Sequence, residues 1–284
     1  MARLYGICLV KNEDDIIAQS LTFATRFCDR IYVIDNGSTD DTWAIVNDLG
    51  RGNSDIVPFE QTREPYGDWL RARVFNEMHR QFSEEDWWMI LDADEFFVGD
   101  PRAAIEVAVR QRADVVAAWQ IQFYFTERDL EAWTRGEDRR ESEIFSRRRY
   151  YQINWQEPRL FRNRQARPWD IHASIKLPDG PHRMSSYRPF NRHYQFRDPA
   201  QMEKRLALRY GHALFPHVQS PDWRDQIRDS RRLKFHRDGE AWHFSPAGLS
   251  YFYKRLAYYR ITSLWRGGPL RHARKIFASA GAGR

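Results

Sequence analysis

Apolar and polar residues follow two distinct patterns along the first ninety residues. Continuous apolar runs predict buried strands at residues 4–10, 31–34, 56–59 and 87–91. Helical spacing of apolar residues follows the first three runs, at residues 17–24, from about residue 41, and over 68–82. Strands that alternate with helices in this way predict an α/β fold, with a mostly parallel, Rossmann-like sheet flanked by helices.

The pattern changes after residue 100. We expect a helix over residues 102–112, a strand within 115–125, short strands at 159–162 and 171–177, and a helix over 201–215. Residues 127–150 are densely charged and are expected to form a loop or lid. Phe252, Leu256 and Tyr259 recur at helical spacing, which predicts a helical C-terminal extension.

The composition is that of a folded, aromatic-rich domain. Of the 284 residues, 42% are hydrophobic, 30% are charged and 15% are aromatic, which excludes a disordered chain and a small disulfide scaffold. Two cysteines, Cys8 and Cys28, are too few for a thiolate metal cluster and fit a reducing compartment, with one disulfide left open.

We expect a cytoplasmic protein, with the inner face of the membrane as an alternative location. No apolar run approaches the roughly 18 to 20 residues that a spanning helix needs. The apolar residues 4–10 lack the cationic region and cleavage site of a signal peptide, so they are interpreted as a first strand.

The net charge of +6 is concentrated at the C-terminus. Residues 241–284 contain eight Lys or Arg residues and no Asp or Glu, so the other 240 residues carry 37 basic and 39 acidic side chains. Basic residues mixed with aromatic ones suit a helix on an anionic membrane surface. They fit equally a helix that packs its aromatic side chains on the rest of the domain.

Polar residues follow three of the predicted strands. They are Lys11-Asn12-Glu13 after the first, Asp35-Asn36-Gly37 after the second and Asp92-Ala93-Asp94-Glu95 after the fourth. Ligands of parallel α/β sheets bind at the carboxyl ends of the strands, so these three loops are expected to meet at one site.

The Asp92-Ala93-Asp94 motif predicts a metal site. Two carboxylates at a strand end, embedded among apolar residues, repel each other unless a cation relieves the repulsion. Mg²⁺ and Mn²⁺ prefer carboxylates together with substrate phosphates. The alternative is a pair of solvated carboxylates in a turn. Asp35 could accept a hydrogen bond from a nucleobase or ribose, or could only close its own turn.

The chain resembles the family 2 glycosyltransferases of GT-A fold. The resemblance rests on residues 7–13, on Val33-Ile34-Asp35-Asn36-Gly37-Ser38-Thr39-Asp40 and on Trp88-Met89-Ile90-Leu91-Asp92-Ala93-Asp94-Glu95, in matching order and spacing. It implies an inverting, metal-dependent transferase that uses a nucleoside diphosphate sugar as donor. The acceptor stays open between a glycan, a lipid-linked molecule and a small molecule.

The resemblance also assigns roles by position. Asp35 would contact the base or ribose of the donor, Arg73 would lie near the donor, and residues Lys11, Asn12 and Glu13 would line the nucleotide pocket. Asp94 would hold Mn²⁺ or Mg²⁺ directly, and Asp92 would bind ribose or the metal through water. Arg73 is equally interpreted as a solvated helical residue near Glu77.

The second half matches the family less completely. Pro158-Arg159-Leu160-Phe161-Arg162 and His193-Tyr194 resemble stretches of related enzymes, in which a His-Glu pair lies between them. Here His172 is followed by Ala173, so the usual acid is absent. Asp170 is therefore the first candidate for the catalytic base and His172 the second, although both could be ordinary loop residues. His193 is a candidate metal ligand or a structural hydrogen-bonding residue.

Together these features predict three regions and two alternatives. Residues 1–98 would form the nucleotide-sugar-binding half, 99–215 the acceptor-binding half with its charged loop, and 216–284 the basic aromatic helical region. A nucleotidyltransferase is the first alternative, but residues 11–14 offer no glycine-rich phosphate loop. A nucleic-acid-binding protein is the second, and the acidic strand ends argue against it.

Overall fold

The computed structural model describes residues 2–170, 177–180, 182–245 and 250. Within them, one mixed sheet has nine strands: β1 Leu4–Val10, β2 Arg30–Asp35, β3 Ile56–Gln61, β4 Trp87–Asp92, β5 Glu95–Phe97, β6 Val115–Phe123, β7 Tyr150–Arg162, β8 Phe190–His193 and β9 Lys234–Phe235. The strand order is β3-β2-β1-β4-β7-β6-β8-β5, and β9 pairs with β7.

The sheet has a parallel half and a mixed half. Strands β1 to β4 are parallel to one another, as the alternation of strands and helices predicts. Strand β7 then runs antiparallel to both β4 and β6. It is much longer than the predicted short strand at 159–162, and it joins the two halves by pairing with β4 and with β6, with two register shifts against β6.

Helices cover both faces of the sheet. They are α1 Ile17–Ala24, α2 Thr42–Gly52, α3 Leu70–Met78, α4 Pro101–Arg110, α5 Glu127–Thr134, α6 Ile144–Arg147 and α7 Pro199–Arg209. Single 3₁₀ turns follow at His79–Gln81, Trp223–Gln226 and Ser230–Arg232. The α/β fold with flanking helices is confirmed. Of the helical region predicted for 216–284, residues 246–249 and 251–284 lie outside the described residues, and 216–245 contain two 3₁₀ turns and β9 instead of an α-helix. Residues 171–176 of the predicted strand at 171–177 also lie outside the described residues.

Strand β1 shows why the apolar run is continuous. Its side chains alternate between two cores: Leu4, Cys8 and Val10 lie in one, and Tyr5, Ile7 and Leu9 lie in the other. Because a central parallel strand is buried on both faces, both sets must be apolar.

The loop predicted for residues 127–150 is confined to the middle of the segment, where 135–143 form turns between α5 and α6. Several charged side chains of the segment are buried and pair with each other. The Arg148 guanidinium lies 2.6 Å from Asp138 and 3.4 Å from Asp129, and Arg147 lies 2.7 Å from Asp138. Charge density alone does not distinguish such a buried network from a solvated loop.

The helix predicted over 201–215 ends at Arg209. The next residues form turns, and some of them return to the ligand cavity described below. No helix within the described ranges is both long and apolar enough to cross a bilayer.

Candidate active site

A cavity of about 1050 Å³ opens at the carboxyl ends of β1 and β4. The first half of the chain contributes the loop after β1, residues 63–69 before α3, and residues 92–95 after β4. The second half contributes part of β7, the end of β8, and α7 with the turns behind it. The strand-end loops after β1 and β4 therefore meet at one cavity. The loop after β2, which the sequence predicts at the same site, contributes none of the described lining residues.

Asn12 ties the loop after β1 to the loop after β2. Its backbone adopts the left-handed conformation, with φ of 55°, which asparagine tolerates better than most residues. The Asn12 side-chain oxygen accepts a hydrogen bond from the Thr39 amide at 2.8 Å, and the Asn12 amide donates to Ser38 Oγ at 2.9 Å. Lys11, Asn12 and Glu13 all line the cavity.

Asp35 is fully buried and closes its own turn. Its Oδ1 accepts hydrogen bonds from the Ser38 amide at 2.8 Å and from the Gln61 side chain at 3.1 Å. In the described part of the chain, Oδ2 has no hydrogen-bond partner and Asp35 is not a lining residue. One carboxylate oxygen thus has the structural role, and the other is a buried acceptor without a partner.

Asp92, at the end of β4, is held by two arginines. Arg71 of α3 contacts one carboxylate oxygen, and Arg159 of β7 lies 3.1 Å from the other. Burial alone would lower the pKa of Arg159, but the surrounding carboxylates outweigh it and raise that pKa. Arg159 also contacts Glu95 and lies 3.0 Å from Glu157, so one guanidinium connects three carboxylates.

Asp94 is buried against cationic side chains. Its Oδ2 lies 3.5 Å from Nε2 of His193 in β8 and 3.1 Å from Arg205 of α7. Burial alone would raise the pKa of the Asp94 carboxyl, but His193 and Arg205 outweigh it and hold that pKa well below its usual range. The Asp94 carboxylate likewise outweighs burial at His193 and raises the pKa of the imidazole.

Arg197 fixes the loop after β1 from behind. Its buried guanidinium contacts Glu13 and lies 2.6 Å from Asp15. Arg205 lies 3.2 Å from the other oxygen of Glu13. Burial raises the pKa of Glu13, and it would also raise the pKa of Asp15 if the ion pair with Arg197 did not lower it.

Glu95 is the third acid of the strand-end cluster. It contacts Arg159 and accepts a hydrogen bond from Asn191 at 2.5 Å. Burial raises the pKa of Glu95 to about 7, although the Arg159 cation opposes the shift. The carboxylates after β4 thus differ in their ease of protonation, because each has its own set of partners.

Asp94 and His193 fit a cation that arrives with a diphosphate. In the described residues, no three His, Cys, Asp or Glu side chains converge as a ready-made metal cage. Nucleotide-bound Mg²⁺, however, needs only one or two carboxylates in addition to phosphate oxygens and water. Within the same residues, Oδ2 of Asp94 accepts no well-aligned hydrogen bond, although Arg205 lies 3.1 Å from it. His193 lies beside it as a second possible ligand.

Two predicted residues do not join this cluster. Arg73 pairs with Glu60 at 2.7 Å and Glu64 at 2.8 Å, and the Asp170 amide lies 3.4 Å from Asp179 Oδ1. Neither Arg73 nor Asp170 lies among the described residues that line the cavity. His172 falls outside the described residues.

Sequence reasoning missed the arginines that hold the acids in place. They are Arg71, Arg159, Arg197 and Arg205. Arg71 could have been found from the sequence, because it lies within the run Leu70–Phe75, where most residues are buried. An arginine in such a run requires a buried partner. The other three have no local signature, because their partners are distant in sequence.

Aromatic residues form the rest of the cavity wall. Trp69 and Trp155 line it, and Tyr66 lies near Phe215, with 5.7 Å between the ring centroids. A Cβ atom at Gly67 would lie 2.2 Å from Nε1 of Trp69. Glycine at this position therefore allows the Trp69 indole to lie against the backbone.

The family model described as glycosyl transferase family 2 matches residues 7–175, more than half of the chain. No curated protein sequence matches this chain.

Several solved structures are similar to this chain. S. aureus TarS 1–349 is 13% identical, over 76% of this chain and 68% of that chain, with a TM-score of 0.40. The mannosyltransferase PcManGT from Pyrobaculum calidifontis, in complex with GDP-Man and Mn²⁺, is 15% identical, over 99% of this chain and 80% of that chain, with a TM-score of 0.41. A putative glucose-1-phosphate thymidylyltransferase from Bacillus anthracis is 15% identical, over 42% of this chain and 55% of that chain, with a TM-score of 0.31.

Proposed function

Because the chain belongs to glycosyl transferase family 2, we propose that it transfers a sugar from a nucleoside diphosphate donor to an acceptor hydroxyl, with inversion and with a divalent cation. One observation supports this proposal most directly. The Asp94 carboxylate and the His193 imidazole lie 3.5 Å apart in the wall of a cavity large enough for a nucleotide sugar. Membership of this family favours sugar transfer over the nucleotidyltransferase and nucleic-acid-binding alternatives.

Two arginines of α7 support the binding of a diphosphate. Arg205 and Arg209 both line the cavity, one helical turn apart. Burial, together with the neighbouring Arg205 cation, lowers the pKa of Arg209 to about 10. Two like charges held together in a partly buried wall favour an anionic ligand, because a diphosphate would relieve their repulsion.

The nucleoside is proposed to lie along the loops after β1 and β2. Lys11 lines the cavity and supplies a further cation, and Asp35 offers its buried Oδ2 as an acceptor. Arg73 would contribute through its ion partner Glu64, which is a lining residue.

Asp94 and His193 would hold Mn²⁺ or Mg²⁺, and Asp92 would assist from its position between two arginines. A divalent ion bound there would offset negative charge that develops on the diphosphate oxygens. The chain also stabilises the developing charge with its own side chains, independently of that ion. Arg205 lies beside Asp94, so a fixed cation already faces the region where the leaving group's charge appears.

Attack by the acceptor hydroxyl requires one base. Asp170 and His172 are the two candidates that the sequence provides. A cavity-lining base would satisfy the geometric requirement more directly, since the proton acceptor must come within hydrogen-bond distance of the attacking oxygen.

Calorimetric titration with UDP, GDP and other nucleoside diphosphates tests the proposal. We expect at least one of them to bind about tenfold more tightly with Mn²⁺ than with a chelator. Asp94→Asn should abolish this enhancement, whereas Asp238→Asn should retain it, because Asp238 is exposed and pairs with Arg149 at 2.6 Å.

Equal affinity with and without Mn²⁺ would remove the metal from the proposal. Failure of every nucleoside diphosphate to bind would remove the donor class and leave only the family membership.

A further inference from the structure

We propose that the acceptor is a sugar whose ring stacks on Trp155, and that Glu157 is the base that removes the proton from its attacking hydroxyl. This inference rests on the proposed function. It names the acceptor class and a catalytic residue other than Asp170 and His172.

The placement of these residues follows from strand β7. Trp155, Glu157 and Arg159 all line the cavity, as expected for alternate residues that share one face of a strand. Arg159 lies 3.1 Å from Asp92, so the strand leads directly from the proposed leaving-group region to Glu157. The Glu157 carboxylate lies 3.0 Å from the same guanidinium, so the proposed base adjoins the proposed leaving-group region.

The strand also holds these side chains rigidly. Strand β6 pairs with β7 along its length, with Gln120 opposite Trp155 and Ala118 opposite Glu157. A base on a paired strand is positioned more accurately than one on a loop such as the one that carries Asp170.

Other carboxylates of the cavity are less suited to accept a proton from an acceptor. The side chains of Glu13, Asp94 and Glu95 are only 12%, 5% and 3% exposed. Asp92 is more exposed, but an arginine contacts each of its two oxygens. Glu157 is 29% exposed and has one oxygen 3.0 Å from Arg159. Because arginine is a permanent cation, this pair is formed by the ionised carboxylate, which is the form that can take a proton.

Glu157 also belongs to residues 99–215, the part of the chain that is predicted to bind the acceptor. Glu64 and Asp68 belong to the loop before α3, and they pair with Arg73 and Arg71 of the first half. Among the described lining residues, Glu157 is the one carboxylate that the second half contributes.

The neighbouring indole indicates the kind of acceptor. Trp155 is partly exposed within the cavity wall, so a flat apolar surface adjoins the proposed base. The C–H face of a pyranose packs on such a ring, while its hydroxyl groups remain free for hydrogen bonds. A phosphate acceptor would instead be repelled by the Glu157 carboxylate.

The acceptor oxygen forms a bond to the anomeric carbon of the donor sugar, and the bond from that carbon to the diphosphate oxygen breaks. The electron pair leaves with the nucleoside diphosphate, and the hydroxyl proton passes to Glu157.

The test measures nucleoside diphosphate release from a panel of nucleotide sugars with Mn²⁺. Each donor is combined either with p-nitrophenyl glycosides or with a short-chain polyprenyl phosphate. We expect glycosides to stimulate release and the polyprenyl phosphate to leave it unchanged. Stimulation by the phosphate alone would overturn the acceptor class.

Three variants then separate the two roles. Glu157→Gln should lower kcat by at least ~100-fold and leave the nucleoside diphosphate Kd unchanged. Glu157→Ala should lower kcat to a similar extent and regain turnover when formate is added. Formate would not restore turnover if Glu157 had only a structural role. Trp155→Ala should raise the glycoside KM about tenfold, a typical effect of losing one stacking surface, with a much smaller effect on kcat.

Two matched controls lie outside the cavity. Glu137→Gln removes an exposed carboxylate that is also paired with an arginine, at 2.9 Å, and Trp133→Ala removes an indole from α5. Both should retain normal kinetics. Turnover of Glu157→Gln within threefold of the unmodified chain would refute the base. If the unmodified chain binds no nucleoside diphosphate, the proposed function is overturned, and this inference falls with it.

Discussion

At the scale of single residues, the candidate site depends on arginines that are buried beside acids. Arg197 is fully enclosed and holds Glu13 and Asp15 together. Burying several charges is costly, and removing one partner of such a group leaves the others uncompensated. Arg197 therefore positions the loop after β1 without itself lining the cavity.

We expect Arg197→Met to lower the free energy of unfolding by about 3–5 kcal/mol at pH 7, because it removes the cation that pairs with the buried Asp15 and one of the two that pair with Glu13. Urea denaturation measures this. The matched control is Arg232→Met, whose side chain is 85% exposed and pairs with Asp229 at 3.7 Å, and which should show no measurable change.

The loss in Arg197→Met should also depend on pH. Arg197 lowers the pKa of Asp15 in the folded protein, so this pair stabilises the fold above the unfolded pKa of Asp15 and is lost as the pH falls through the lower, folded value. The difference between the variant and the unmodified chain should therefore shrink towards pH 3. A difference that grows on acidification would contradict the assigned partner.

At the scale of elements, close approaches decide which helices and strands can pack. Helix α2 passes over β3 at Gly50, where an added Cβ would lie 2.8 Å from the Pro58 ring and 3.0 Å from the Ile56 carbonyl oxygen. Two residues later, a Cβ at Gly52 would meet nothing within 4 Å. One helix thus offers a required glycine and a replaceable one.

Gly50→Ala should destabilise the protein, because the helix must move away from β3. Gly52→Ala should instead stabilise it by up to ~1 kcal/mol, since alanine restricts the unfolded chain and favours the helix. Thermal unfolding of the two variants provides the comparison. Equal shifts of the two melting temperatures would show that α2 does not depend on this contact.

The elements also show where sequence patterns succeed. Apolar periodicity identifies β1, β2 and β4 because their burial follows directly from residue type. It fails for residues 127–150, where Asp129, Asp138, Arg147 and Arg148 are buried in spite of their charge. Burial of paired charges leaves no apolar pattern to detect.

At the scale of the whole molecule, the cavity lies between two halves that are far apart in sequence. Residues 63–69 border it from the first half, and residues 212–217 border it from the second. Tyr66 and Phe215 bring these segments into contact. A ligand in the cavity would therefore stabilise both segments at once.

We expect a bound nucleoside diphosphate with Mn²⁺ to slow amide hydrogen exchange in both segments. Exchange at β9, which pairs with β7 away from the cavity, serves as the internal reference. Protection confined to 63–69 would place the ligand in the first half alone, contrary to the proposed diphosphate contacts with α7.

The sequence by itself determined the parallel strands, the helices between them and the acids at the ends of β1, β2 and β4. These features are local, because strand burial and loop position depend on neighbouring residues. The division into donor and acceptor halves and the membrane role of residues 241–284 stay predictions.

Only the tertiary structure decided which charge faces which acid. Arg197 meets Glu13 across 184 positions, and Arg159 meets Asp92 across 67. Both contacts exist because the second half of the chain folds back onto the carboxyl edge of the first, with β7 inserted beside β4. Such pairings depend on the order of strands in space, which no local pattern of residues records.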